Sequence, residues 1–182
     1  FNTTLYTGTG VSGLSVTGMG FSPDLLWIFP RSNGDNHVVF DSERGQDRQL
    51  KLSGNDSEDT HSPVRVTLES DGFDLDTTDT NYNGDTRTYA SFGWLAGTDF
   101  DNDQSATGIG TVDSDGQVNE DAGFSIVNYD GTGSVLSWKL GLSKKPDFVM
   151  IKNRDQADSW NAYHSGLGAT YVIYPSSTSA KS

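Results

Sequence analysis

Three aspartates alternate in Asp99-Phe100-Asp101-Asn102-Asp103. Such spacing opens many calcium loops, because a hard divalent cation takes about six to eight oxygen ligands. The remainder of an EF-hand pattern is missing: Gln104 stands where the turn needs glycine, and Gly110 where the bidentate glutamate belongs. Asp113-Ser114-Asp115-Gly116 offers further oxygens nearby. Two readings stay open, a calcium site on Asp99, Asp101 and Asp103 or a solvated acidic loop.

Glycoside hydrolysis needs two carboxylates facing each other across the sugar. The four glutamates, Glu43, Glu58, Glu69 and Glu120, form no Glu-x-Asp-x-x-Glu strand, and Gly72-Phe73 breaks the nearest approach, Glu69-Ser70-Asp71. His37, His61 and His164 show no metal-ligand spacing, and no Gly-x-Ser-x-Gly elbow is present. A Ser-His-Asp triad needs no sequence proximity and stays open. The expectation is a protein that is not an enzyme and has no catalytic residue.

A sugar platform would need an exposed aromatic ring with polar neighbours. Trp160-Asn161-Ala162-Tyr163-His164 is the best local match. On a strand, Trp160, Ala162 and His164 share one face. Trp160, Asn161 and His164 are therefore the glycan candidates, against a core role for Trp160. Asn2-Thr3-Thr4 and Asn55-Asp56-Ser57 are sequons that matter only on a eukaryotic secretory route.

These residues sit in a chain of 182 with 12 basic and 25 acidic side chains, a formal charge of −13. That surface repels phosphate and anionic lipid, so neither nucleic acid nor a basic membrane anchor is an expected partner. No apolar run approaches the roughly 20 residues of a membrane helix, so no membrane insertion is expected. The absence of cysteine removes disulfides, zinc thiolates and thiol catalysis. The acids are 21 Asp against 4 Glu, a turn-rich bias consistent with a saline setting where charge is screened. The first residue, Phe1, suggests a processed product or a fragment.

Glycine, proline or an Asx-Gly pair interrupts nearly every window, and no convincing helix is predicted. Short strands are predicted around Val64–Leu68, Phe73–Asp76, Thr86–Leu95, Gly123–Tyr129 and Ser134–Leu140, the last two as a hairpin-like pair. Many short strands with regular turns argue an all-β fold, an antiparallel β-sandwich or barrel. The expected core is Leu25, Trp27, Val64, Val66, Leu68, Phe73, Tyr89, Phe92, Trp94, Phe124, Ile126, Phe148 and Ile151. Arg31 and Arg154 are expected in salt bridges or carbonyl contacts.

An internal repeat is the strongest feature. Residues 6–45 align with residues 129–168 without a gap at an offset of 123, with 12 identities including Gly10/Gly133, Pro23/Pro146, Asp24/Asp147, Arg31/Arg154, Ser42/Ser165 and Gly45/Gly168. The predicted organisation is a first copy over 1–97, an acidic Gly-rich linker or loop over 98–122, and an incomplete second copy over 123–182. The missing strands of copy two leave an edge, covered either by copy one or by a neighbouring subunit.

Tyr6–Gly10, Pro23–Arg31, Phe40–Gly45, Ser70–Leu75, Tyr89–Gly97, Gly123–Gly133 and Pro146–Arg154 together carry a resemblance. In this order they resemble the repeated β domain of tail-fibre-like and other virion structural proteins of marine and cyanobacterial phages. The resemblance implies a concanavalin-like jelly roll and a non-enzymatic structural role at a virion surface or other extracellular place. Its implied partners are copies of itself, as a homo-oligomer, or other virion proteins. The alternatives are a carbohydrate-binding module for host surface glycans and an extracellular filament subunit.

Overall fold

The computed structural model describes residues 1–176 of the chain. They divide into two compact units: Phe1–Trp94 with the described part of 147–182, and Leu95–Pro146.

In the first unit, six strands form one antiparallel sheet in the order β1-β9-β3-β4-β5-β6. They are β1 (Asn2–Thr7), β3 (Leu25–Pro30), β4 (Val38–Asp41), β5 (Arg48–Lys51), β6 (Asp59–Thr60) and β9 (Thr88–Trp94). A second sheet, β2-β8-β7, consists of β2 (Leu14–Thr17), β7 (Val66–Glu69) and β8 (Gly72–Leu75). The chain moves between the sheets at β1→β2→β3, at β6→β7 and at β8→β9, the exchange expected of a jelly roll. Leu26, Ile28, Val38, Phe40 and Tyr89 of the first sheet pack on Val16, Val66, Phe73 and Leu75 of the second. The fold is an all-β antiparallel sandwich.

Backbone proximity explains two glycines. At φ +145° Gly72 turns β7 into β8, and a Cβ there would run into the Val16 carbonyl oxygen. A Cβ on Gly93, within β9, would run into the Met19 sulfur that fills the core below it. A single helical turn, α1 (Thr80–Asn83), is capped by the Asp79 carboxylate, which accepts from the Asn81 N–H at 2.9 Å.

The six-stranded sheet has two apolar faces. Leu25–Pro30 is a continuous apolar run, and its even-numbered residues point into the core while Leu25, Trp27 and Phe29 point the other way. Against this outer face lies β13 (Phe148–Ile151) paired with β14 (Asn161–His164), which brings Met150 and Trp160 onto Val39, Leu50 and Leu52. The first unit thus has a third layer, supplied by copy two.

The structure repeats down to single bonds. The β3–β4 register, Leu25↔Asp41 through Ile28↔Val38, recurs 123 residues later as Phe148↔His164 through Ile151↔Asn161. Ser42 N–H donates to the Asp24 carbonyl at 2.9 Å, and Ser165 N–H to the Asp147 carbonyl at 2.8 Å. The Val39↔Leu50 pairing has its counterpart in Ala162↔Ile173.

The second unit holds a three-stranded sheet of β10 (Thr98–Asn102), β11 (Ser114–Asn119) and β12 (Phe124–Tyr129), with the single-turn helix α2 (Gln104–Thr107). The stretch 98–122, expected as a linker or loop, therefore carries two strands: alternate polar residues suit an exposed sheet and mimic a loop in composition. The hairpin expected from 123–129 and 134–140 does not form. β12 pairs with β11, and 134–140 runs as irregular chain fixed by Thr111 N–H donating to the Ser137 carbonyl at 2.8 Å. Trp138 stacks on Tyr129 with ring centroids 4.2 Å apart.

The predicted core needs correction by face. Val66, Phe73 and Tyr89 are buried in it. Leu25, Trp27, Phe92 and Trp94 belong to the opposite face of the same sheet and are only partly buried. Leu68, Phe124, Ile126 and Ile151 are partly buried, and Val64 and Phe148 are exposed. An apolar strand carries no sequence mark telling which face meets the larger core.

Candidate functional site

Asp99, Asp103 and Asp113 of the acidic cluster are used for local structure. Asp99 and Asp101 lie exposed on β10, with Asp99 Oδ1 accepting from Gln117 Nε2 at 3.0 Å and Asp101 opposite Asp115 on β11. Asp103 caps α2: its Oδ1 accepts from the Ser105 hydroxyl at 2.7 Å and from the N–H groups of Ser105 and Ala106 at 2.9 and 3.2 Å. The Ser105 hydroxyl and these backbone donors hold the Asp103 carboxyl below its usual range. Asp113 Oδ1 accepts from the Gln104 N–H at 2.8 Å. Among the described residues no three His, Asp or Glu side chains converge on one cation position.

The glycan candidates separate. Trp160 is 7% exposed, packs on Val39, Leu50 and Leu52, and donates its Nε1–H to the Lys51 carbonyl at 2.8 Å. A ring held this way offers no platform, so Trp160 is a core anchor, corrected from the sugar-facing reading. Asn161 and His164 are exposed, and His164 Nδ1 accepts from the Gly166 N–H at 3.0 Å.

Glu58 is the ionic centre of the first unit. Its Oε2 accepts from Arg44 Nη1 and from Arg154 Nε, each at 2.9 Å, and its Oε1 accepts from Arg154 Nη2 at 2.9 Å. Arg44 Nε also donates to Asp41 Oδ2 at 2.6 Å, at the end of β4. Burial pushes the Glu58 carboxyl up, but the Arg154 and Arg44 hydrogen bonds outweigh it and hold the group below its usual range. The expected salt bridge of Arg154 is present, and it ties the end of β13 to the loop before β6.

The buried polar side chains Asp41, Gln49, His61, Asn83, Ser91, Asn102 and Ser114 all have bonding partners. His61 Nε2 meets Gln49 Oε1 at 3.1 Å, Asn83 donates to the Val11 and Thr77 carbonyls at 2.8 and 2.6 Å, and Ser91 donates to the Thr4 carbonyl at 3.1 Å. Ser114 donates to the Lys139 carbonyl at 3.2 Å, and Asn102 to the Ile109 carbonyl at 3.1 Å.

The feature that sequence reasoning missed is aromatic. Residues directly opposite in register share a sheet face. Thr3, Phe92 and Trp27 form one cross-strand row, Leu5, Ala90 and Phe29 the next, and Trp94 and Leu25 a third. Phe1 reaches Trp94 with centroids 4.8 Å apart, Trp94 reaches Trp27 at 4.8 Å, and Phe29 reaches Phe92 at 5.2 Å. Phe1 is 67% and Leu5 63% exposed. These three pairs cross at 49°, 56° and 78°, while Phe1 lies nearly parallel to Phe92, 18° apart with centroids at 6.4 Å. The signal was present in Leu25–Phe29, five consecutive large apolar residues, because an edge-on run of that kind requires cover on both faces.

Comparison with curated proteins and with solved structures finds no match. Over residues 1–182 the chain matches the family described as Domain of unknown function (DUF7483), and the chain belongs to that family.

Proposed function

We propose that the chain is a non-catalytic structural module that works by association, self-assembling through the aromatic face of its six-stranded sheet. The exposed Phe1 and Leu5 beside the partly buried Phe92 and Trp94 carry this reading, while Trp27 and Phe29 of the same face already pack on the cluster of Trp160. Contiguous apolar surface rimmed by polar residues is characteristic of an interface. Among the described residues most buried polar groups are hydrogen-bonded, the Thr4 and Tyr82 hydroxyls being the exceptions, and this supports a structural use of the interior. A virion exterior, in a tail-fibre-like or decorating role, is the setting we favour, and it rests on the order of motifs that resembles phage structural repeats. The aliphatic Leu5 exposed on the same face as the rings favours another apolar protein surface over a glycan.

Light scattering of the full chain at low and high salt tests this. With −13 charges per chain, association strengthens as salt screens repulsion. Phe1→Ser combined with Leu5→Ser leaves charge unchanged and is expected to weaken association at least tenfold without lowering Tm. A chain that stays monomeric in both salts, or associates equally well with both serines, overturns the proposal. Glycan-array binding lost in the same double variant would replace it with the carbohydrate-binding alternative.

A further inference from the structure

In copy one, β3 is paired on both sides, with β4 on one edge and β9 on the other. Copy two reproduces most of this neighbourhood: β13 stands for β3, β14 for β4, and Ile173 for Leu50 of β5. No strand among the described residues stands for β9, and among them β13–β14 is a two-stranded sheet in which no strand pairs with the other edge of β13.

The groups on that edge follow from the alternation of antiparallel hydrogen bonds. Arg31 N–H donates to the Thr88 carbonyl on the β9 side, and Ser42 N–H to the Asp24 carbonyl on the β4 side. Odd-numbered residues of β3 therefore bond β9 and even-numbered ones bond β4. Carried over 123 positions, Asp147, Val149 and Ile151 bond β14, in agreement with Ser165 N–H on the Asp147 carbonyl. Phe148, Met150 and Lys152 direct their N–H and C=O groups to that other edge.

We propose that this edge of β13 is a strand-acceptor site, and that its occupant is a strand of the β9 type carried by another repeat of the same kind. The occupant is defined by copy one, where the equivalent edge holds Thr-Tyr-Ala-Ser-Phe-Gly-Trp, Thr88–Trp94. Strand addition takes its affinity from main-chain hydrogen bonds and its register from the alternating side chains. This site is independent of the aromatic face, and the two are tested by different measurements.

The chain has no cysteine, so a single disulfide can trap the register. Ile28 lies opposite Ser91 in copy one, which places Ile151 opposite the same position of an added strand. The full chain carrying Ile151→Cys is mixed, in a glutathione buffer, with a solubilised peptide of residues 86–95 carrying Ser91→Cys. The control peptide carries Ala90→Cys. The adduct with the Ser91→Cys peptide is expected to form at least tenfold faster than with the control. Adding Phe148→Pro, which removes one outward N–H at a strand-edge position that tolerates proline, is expected to abolish the difference while leaving the circular dichroism spectrum unchanged. Equal rates for the two peptides, no adduct with either, or a preference that survives Phe148→Pro would each overturn the strand-acceptor site.

Discussion

Glu58→Gln is the perturbation whose size the structure sets most closely. The substitution keeps volume and one acceptor oxygen but removes the charge that faces three guanidinium groups, Arg44 and Arg154 at 2.9 Å and Arg48 at 3.6 Å. The two close contacts differ in environment. Arg44 and Glu58 are 5% and 8% exposed, so their pair is desolvated, whereas Arg154 is 40% exposed. Removing one member of a buried pair costs about 3–5 kcal/mol, because the other charge is left buried. Here Asp41 stays 2.6 Å from Arg44, which brings the expectation to the lower end, about 3 kcal/mol. Arg154→Ala breaks only the exposed contact and is expected to cost about 1 kcal/mol or less. Urea unfolding at pH 7, followed by tryptophan fluorescence and extrapolated linearly, measures both. The pH dependence has a fixed sign. The folded Glu58 carboxyl sits below its unfolded value, so its stabilisation is present above about pH 4.3 and is lost as pH falls through the folded value. The gap between wild type and Glu58→Gln must therefore shrink in acid. A cost under about 1 kcal/mol for Glu58→Gln, or an equal cost for Arg154→Ala, would refute the assignment of Glu58 as the buried ionic centre.

Trp160→Phe, which keeps an aromatic ring but deletes the Lys51 hydrogen bond and part of the buried volume, is expected to cost about 1–3 kcal/mol, and Trp160→Ala about 3–5 kcal/mol, by the same unfolding assay. Trp27→Ala is expected to cost less than Trp160→Ala, because Trp27 is only partly buried; the reverse order in urea would misplace the aromatic face. Gly72→Ala forces a Cβ into the Val16 carbonyl and is expected to lower Tm by about 10 °C or more, read by calorimetry. Burial and the nearby Arg65 push His61 below its ordinary value, so the folded state resists protonation and loses stability as pH falls below about 6.5; His61→Gln is expected to flatten that slope in pH-dependent melting curves.

The strand-rich class, the turn positions and the repeat were legible in the residues alone, because each is written locally. Gly10, Gly18 and Gly45 and their mates Gly133, Gly141 and Gly168 all take positive φ, a demand that glycine meets without steric cost. Pro-Asp turns and the Ser42/Ser165 bonds likewise depend on a few neighbouring atoms. Three matters were decided by tertiary structure. Which side of Leu25–Pro30 meets the larger core depends on what lies across from it, and an apolar run is symmetric in that respect. Asp99, Asp101 and Asp103 are equivalent in the sequence pattern, yet the Asp99 carboxylate bonds Gln117 of the neighbouring strand and that of Asp103 caps α2, uses that depend on where β10 and α2 run. Trp160 became an anchor because β14 lies against β5, a contact 109 residues distant along the chain that no local pattern encodes.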